Sequence, residues 1–91
     1  MEDALYRALV DPTRRRIMDL LARSDGLSLF EICGRLIAEH RTPCTRQAIS
    51  QHLAVLGAAD LVRSERVGRT KLHHLDTGPL RSIIERWPVD R

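Results

Sequence analysis

Four amphipathic helical segments, a basic β-hairpin and a final helix follow one another along this chain, and this order most constrains its fold. Apolar residues recur at helical spacing in the helical segments. Residues 67–69 form a Gly-containing turn between two segments typical of strands. Asp11-Pro12 is typical of a helix start, and Gly26 of a helix end. The predicted helices are 2–9, 12 to about 23, 29 to before 42, 46 to about 58 and one from 79, and the strands are 61–66 and 70–75.

The fourth helical segment differs from an ordinary surface helix in its outer face. Thr45 is its predicted N-cap. At 100° per residue, Ile49, Leu53 and Leu56 share the inner face. The opposite face carries short or amide side chains and almost no charge, whereas a solvated face would carry more Glu and Lys. Such a face can enter a DNA groove without clashing, and it consists of Gln47, Ser50, Gln51 and Ala54.

Length and composition predict one folded domain over residues 1–91. Ninety-one residues are enough for one domain and not for two, and 43% hydrophobic residues exclude a disordered chain. The net charge of +3 permits a polyanionic partner. Every basic residue except Lys71 is Arg, which suits bidentate contacts with phosphate and guanine, although a GC-rich genome explains the same bias.

The third and fourth segments together have the inward and outward pattern of a helix-turn-helix. We therefore expect a mainly α fold with a small β-hairpin, a winged helix-turn-helix domain that binds double-stranded DNA. The fourth helix would lie in the major groove, and the hairpin would be a wing that reaches a neighbouring minor groove or the backbone.

The expected DNA contacts fall into two groups. Amide and hydroxyl side chains of the fourth helix are candidates for reading bases, because amides pair bidentately with adenine; they are Gln47, Ser50 and Gln51. Phosphate or minor-groove contacts are expected from Thr45, Arg46, His52, Arg66, Arg69 and Lys71. For residues 14–16, three consecutive arginines, a DNA contact and a solvated helix face remain equal alternatives.

Two long motifs resemble the ArsR/SmtB-type family of transcriptional regulators. Residues 11–21, DPTRRRIMDLL, look like the opening of that family, and residues 45–56, TRQAISQHLAVL, look like its recognition helix. Residues 61–63 and 68–69 fall where the family has its first wing strand and its wing tip. Two departures stand out: Asp60 replaces a usual Gly, and residues 37–44 are longer than the usual turn. Since Asp tolerates the left-handed conformation, we expect the turn at Asp60 to be retained.

The resemblance implies a homodimeric repressor whose first and last helices form the dimer interface. The spacing of Leu80, Ile83, Ile84 and Trp87 agrees with this independently, since it places an apolar stripe on the terminal helix. The alternative is that this stripe only closes the domain's own core. The expected interface residues are Leu5, Leu9, Leu80, Ile83, Ile84 and Trp87.

The positions at which metal-sensing relatives carry ligands are occupied here by Ser28, Phe30, Thr77 and Pro79. We therefore expect no metal site and no cofactor. Cys33 is expected to be a small core residue, and Cys44 is the better candidate for an exposed thiol.

The histidines do not indicate a metal site either. His73 and His74 should point to opposite faces of a strand. His74 and Asp76 could share a face, but two ligands alone make a poor metal site, so we expect wing and hinge packing from these residues.

Other functional classes are weighed against this interpretation. No catalytic constellation or phosphate-binding loop is present, so enzymatic activity is not expected. No segment could span a bilayer and no signal peptide is evident, so a cytoplasmic location is expected. The alternatives left open are a metal- or thiol-responsive repressor and a winged helix that binds protein through the same surface.

Overall fold

Local capping signals place the helices almost where the sequence predicts them. The computed structural model describes residues 2–41 and 43–90. The helices are α1 (Glu2–Leu9), α2 (Pro12–Arg23), α3 (Leu29–His40), α4 (Arg46–Ala58) and α5 (Arg81–Arg86), and the strands are β1 (Leu27–Ser28), β2 (Val62–Val67) and β3 (Thr70–Leu75). A 3₁₀ turn, Gly78–Leu80, leads into α5.

Three of the helices have an N-cap residue whose side chain accepts hydrogen bonds from the first turn of the helix. Asp11 accepts hydrogen bonds from the backbone amides of Thr13 and Arg14 at the start of α2. Ser28 and Glu31 form a reciprocal capping box at the start of α3. Thr45 Oγ1 accepts the amide of Ala48, 3.0 Å away, at the start of α4. These caps satisfy amides that have no partner within the helix.

The core is formed by the inward faces of the first four helices, together with Leu27 of β1, the turn after α4 and the start of β2. Helix α4 packs against α1, α2, α3 and β2, so the predicted recognition helix is held from several sides. As predicted, Ile49, Leu53 and Leu56 face inward. Ile37, near the end of α3, is 47% exposed and belongs to the surface.

The sheet has a third strand, β1, which is not predicted from the sequence. β1 pairs antiparallel with β3, in the order β1-β3-β2, with Leu27 opposite His73. His73 is buried, and its Nδ1–H donates to the carbonyl oxygen of Leu27 over 3.0 Å. Two residues are too few to show a strand periodicity, which is why β1 has no sequence signal.

Other boundaries differ by small amounts. β2 runs from Val62 to Val67, so the hairpin turn has only two residues, Gly68 and Arg69. The predicted last helix begins with a 3₁₀ turn and ends at Arg86, which leaves Trp87 as its C-cap. Asp60 has φ 59°, so the expected left-handed turn is confirmed.

Candidate nucleic-acid interface

Helix α4 presents its polar face to solvent. Gln47, Ser50, Gln51 and Ala54 are all exposed, as predicted. The first turn of the helix contains no acidic residue, so no carboxylate in this turn neutralises the partial positive charge at the N-terminal end of the helix. This end can therefore approach a phosphate, while the amide side chains further along can reach base edges.

An arginine from α2 fixes His52 on the same helix. Arg14 Nη1 lies 3.1 Å from His52 Nδ1. Since a guanidinium can only donate, Nδ1 accepts and the ring proton lies on Nε2. The same guanidinium donates to the carbonyl oxygens of Ala8 and Arg7. Arg14 thus joins α1, α2 and α4, and with a side chain that is only 12% exposed it does not lie on a solvated helix face. The alternative of a DNA contact stays a prediction.

A second arginine is held at the start of α4. The guanidinium carbon of Arg46 lies 5.2 Å from the ring centroid of Phe30, a distance at which cation and ring attract each other. Phe30 is 67% exposed on α3. In the sequence Phe30 stands out only as the residue at a metal-ligand position of the family, whereas in the structure its ring packs against Arg46, a predicted DNA-contacting residue.

The wing carries two cations directly opposite each other. Arg66 on β2 is the register partner of Lys71 on β3. Because side chains alternate along a strand, both lie on the same face as Ser64 and His73. Like charges directly opposite each other destabilise a sheet. Arg69 occupies the exposed turn next to Gly68, whose φ of 63° favours glycine.

A histidine bridge ties the wing to the turn after α2. His74 Nδ1 lies 2.8 Å from Asp25 Oδ2, and its Nε2 lies 2.7 Å from Glu65 Oε1. Ionised carboxylates only accept, so the bridged ring carries both protons. The hydrogen bond to Asp25, followed by that to Glu65, raises the pKa of His74. The hydrogen bond from His74 in turn lowers the pKa of Asp25. The predicted wing and hinge packing of His74 therefore takes the form of a bridge between two carboxylates, and Asp76 is not among its partners.

A groove of about 690 Å³ runs between α4 and the wing. It brings together several predicted DNA-contacting residues and the ring of Phe30. Its lining includes Phe30, Arg46, Ser50, Ala54, Arg69 and Lys71. Gln47 and Gln51 lie on the same exposed face of α4, whereas His52 lies beside Arg14 in a separate depression.

The predicted interface residues of the terminal elements differ in exposure. Leu5 is buried within the core of its own chain, and Leu9, Leu80 and Ile83 pack against that core. Ile84 is 52% exposed and Trp87 57% exposed. The ring of Trp87 lies 6.3 Å from that of Tyr6 on α1. Among the predicted interface residues, Ile84 and Trp87 are therefore the two with exposed apolar surface available to a partner.

Two observations concern the alternatives of a metal site and a membrane segment. Over residues 2–41 and 43–90, no group of three or more His, Cys, Asp or Glu side chains is arranged so that it could hold a metal ion. None of the helices in these ranges is long and apolar enough to cross a membrane.

Comparisons with known proteins agree with this architecture. The model of a helix-turn-helix domain family matches residues 9–65. The chain is 41% identical to the uncharacterised HTH-type transcriptional regulator YuzN of Bacillus subtilis, over 94% of both chains. It is 34% identical to the transcriptional repressor SdpR of the same organism, over 94% of this chain and 87% of SdpR.

A solved structure has the same fold. An ArsR-like transcriptional regulator from Rhodococcus sp. RHA1 superposes with a TM-score of 0.79 at 31% identity, over 92% of this chain and 71% of that chain. The predicted winged helix-turn-helix fold is confirmed, as is the function of a DNA-binding transcriptional regulator. The chain belongs to the ArsR/SmtB-type family of winged helix-turn-helix transcriptional regulators.

Proposed function

We propose that this regulator is a homodimeric repressor that places α4 in the major groove of its operator and the β2–β3 wing against the adjacent backbone or minor groove. Gln47, Ser50 and Gln51 read base edges. Arg46, Arg66, Arg69 and Lys71 hold phosphates, together with the hydroxyl of Thr45 and the Nε2–H of His52. The name of the relative SdpR supports repression as the mode of action.

The cross-strand pair of Arg66 and Lys71 carries this proposal. Neither residue forms a salt bridge with another residue of the described ranges. Two unneutralised cations placed opposite each other, beside an uncharged polar helix face, favour a polyanion as the missing partner. A protein-binding winged helix would instead present an apolar face on α4, and the outer face of α4 is polar.

Selection of bound sequences from random DNA tests the base-reading role directly. We expect an enriched motif with two related half-sites, since a dimer presents two recognition helices. Arg66→Gln should then weaken binding to the selected site and lower its salt dependence. Arg63→Gln is the matched control, because Arg63 lies on β2 but on the opposite face of the sheet. Failure to enrich any sequence, with equal affinities for both variants, would contradict the proposal.

Exposed apolar residues of the terminal elements support the dimer. Ile84 and Trp87, here called the C-terminal patch, are both exposed, and neither lines the groove between α4 and the wing. Burying two such side chains against a second copy removes apolar area from water. It also leaves both recognition helices free to meet DNA.

A further inference from the structure

Two cysteines from different elements meet at the turn of the helix-turn-helix. Cys33 Sγ, on the buried side of α3, lies 3.2 Å from Cys44 Sγ, in the segment that precedes α4. Each sulfur also lies 3.7 Å from the carbonyl oxygen of the other cysteine. The two thiols are thus neighbours in space although 11 residues separate them.

We propose that Cys33 and Cys44 are an oxidation site, at which a peroxide converts the two thiols into a disulfide within one chain. The site adjoins Thr45 and His52, two of the proposed phosphate contacts, but its oxidation does not depend on the proposed repressor function. From the sequence, Cys33 is expected to be a small core residue and Cys44 an exposed thiol, and their contact is not predicted.

Formation of the disulfide requires only a small movement of the two sulfur atoms. A disulfide has a sulfur–sulfur distance of about 2.05 Å, so the two atoms must approach by roughly 1.1 Å from their present separation of 3.2 Å. Cys44 directly precedes Thr45, the N-cap of α4, and belongs to no helix or strand. It can therefore move without breaking helical hydrogen bonds, while α3 holds Cys33 in place.

Peroxide can reach the site through a shallow pocket. Cys44 is half-buried and lines a depression of about 630 Å³ that also contains Arg41 and His52. Cys33 is 9% exposed and lies behind it. Cys44 is therefore the thiol that meets the oxidant first, and Cys33 is the thiol that resolves the product.

Oxidation of the two thiols to a disulfide consumes one peroxide molecule per chain. The deprotonated Cys44 sulfur attacks one peroxide oxygen, the O–O bond breaks, and the departing hydroxide takes up a proton to form water. Cys44 is then a sulfenic acid. The Cys33 thiol loses its proton and its sulfur attacks the Cys44 sulfur, so that the S–S bond forms as the S–O bond breaks and a second water leaves. Burial raises the pKa of the Cys44 thiol to about 11, so the first step is the slow one.

Mass spectrometry of the intact, full-length chain tests the proposal. Reduced protein is treated with hydrogen peroxide, denatured and exposed to iodoacetamide. We expect a chain that has lost two hydrogens, accepts no alkyl group, migrates as a monomer on a non-reducing gel and regains both thiols with dithiothreitol. The oxidised form should also unfold at a higher temperature than the reduced form, because the bond closes a loop in the unfolded chain.

Cys33→Ala and Cys44→Ser are the matched controls, since each removes one partner and leaves the other cysteine. Under the same treatment neither variant should gain resistance to alkylation through a bridge within the chain. The proposal is overturned if the wild-type chain keeps two alkylatable thiols, if Cys44 proceeds to a sulfinic acid without a bridge, or if bridges form only between chains. None of these measurements involves DNA, so they can contradict the oxidation proposal without contradicting the proposed repressor function.

Discussion

Arg14 and His52 join α2 to the recognition helix through a contact of 3.1 Å between Nη1 and Nδ1. The Arg14 side chain is only 12% exposed, and its remaining N–H groups reach carbonyl oxygens at the end of α1. One guanidinium therefore sets the position of α4 relative to the two helices that precede it. It also fixes the ring of His52 with its Nε2–H available to donate.

Replacing Arg14 with Leu should destabilise the fold. The substitution keeps an apolar stem but leaves two carbonyl oxygens and a ring nitrogen without their donor, which costs about 1–3 kcal/mol. Urea unfolding followed by circular dichroism measures the loss. Arg15→Leu is the control: Arg15 also donates to a carbonyl, that of Leu9, but it is exposed and does not contact α4. Equal midpoints for the two variants would show that Arg14 has no such role.

The bridge made by His74 predicts a pH dependence of stability. The raised pKa of His74 means that its contribution is fully present below its usual pKa of 6.5 and is lost as the pH rises through the higher value in the folded state. Asp25, whose pKa is lowered, contributes above its usual pKa and ceases to do so in acid. The bridge therefore stabilises the fold most between these two limits.

His74→Gln should remove that dependence. Wild-type midpoints in urea should fall between about pH 5.5 and about pH 8.5 as the histidine loses its charge, whereas the variant should change less over the same interval. Asp25→Asn provides a second test from the other side of the bridge. A variant with the same slope as the wild type would mean that another group causes the dependence.

The exposed C-terminal patch predicts a dimer that one charge can disrupt. At micromolar concentration, sedimentation should give about twice the chain mass of 10.4 kDa. Ile84→Glu should shift the protein to a monomer or unfold it, because a buried unpaired charge is costly. Val67→Glu is the control, since Val67 has the same 52% exposure but lies on the wing. A wild-type chain that sediments as a monomer would exclude the interface.

Helix boundaries could be predicted because their causes are local. Thr45 caps α4 through an amide three residues away, and the spacing of Ile49, Leu53 and Leu56 marks its inner face within a single segment. The polar outer face, and hence the candidate base-reading residues, follow from the same pattern.

Contacts between distant segments could not be predicted in this way. Arg14 and His52 are 38 residues apart, and His74 and Asp25 are 49 apart. The strand β1 exists only because β3 pairs with it. No periodicity in a short window encodes such contacts, so the sequence motifs predict the recognition surface but not the bridges that hold it.

The recognition helix and the wing should contribute to DNA binding in different ways. Gln47 and Gln51 lie one turn apart on the exposed face of α4, opposite the buried Ile49, while Arg69 projects from the tip of the wing. Base contacts specify a sequence, whereas phosphate contacts position the protein.

The variant Gln51→Ala should therefore lose about 1–3 kcal/mol of binding free energy on the selected operator and relax the base preference at one position in each half-site. Arg69→Ala should weaken operator and unrelated DNA more evenly, and its salt slope should fall by about one unit per subunit. Titrations at two salt concentrations separate these effects, and two variants that both keep wild-type affinity and preference would show that DNA meets a different surface.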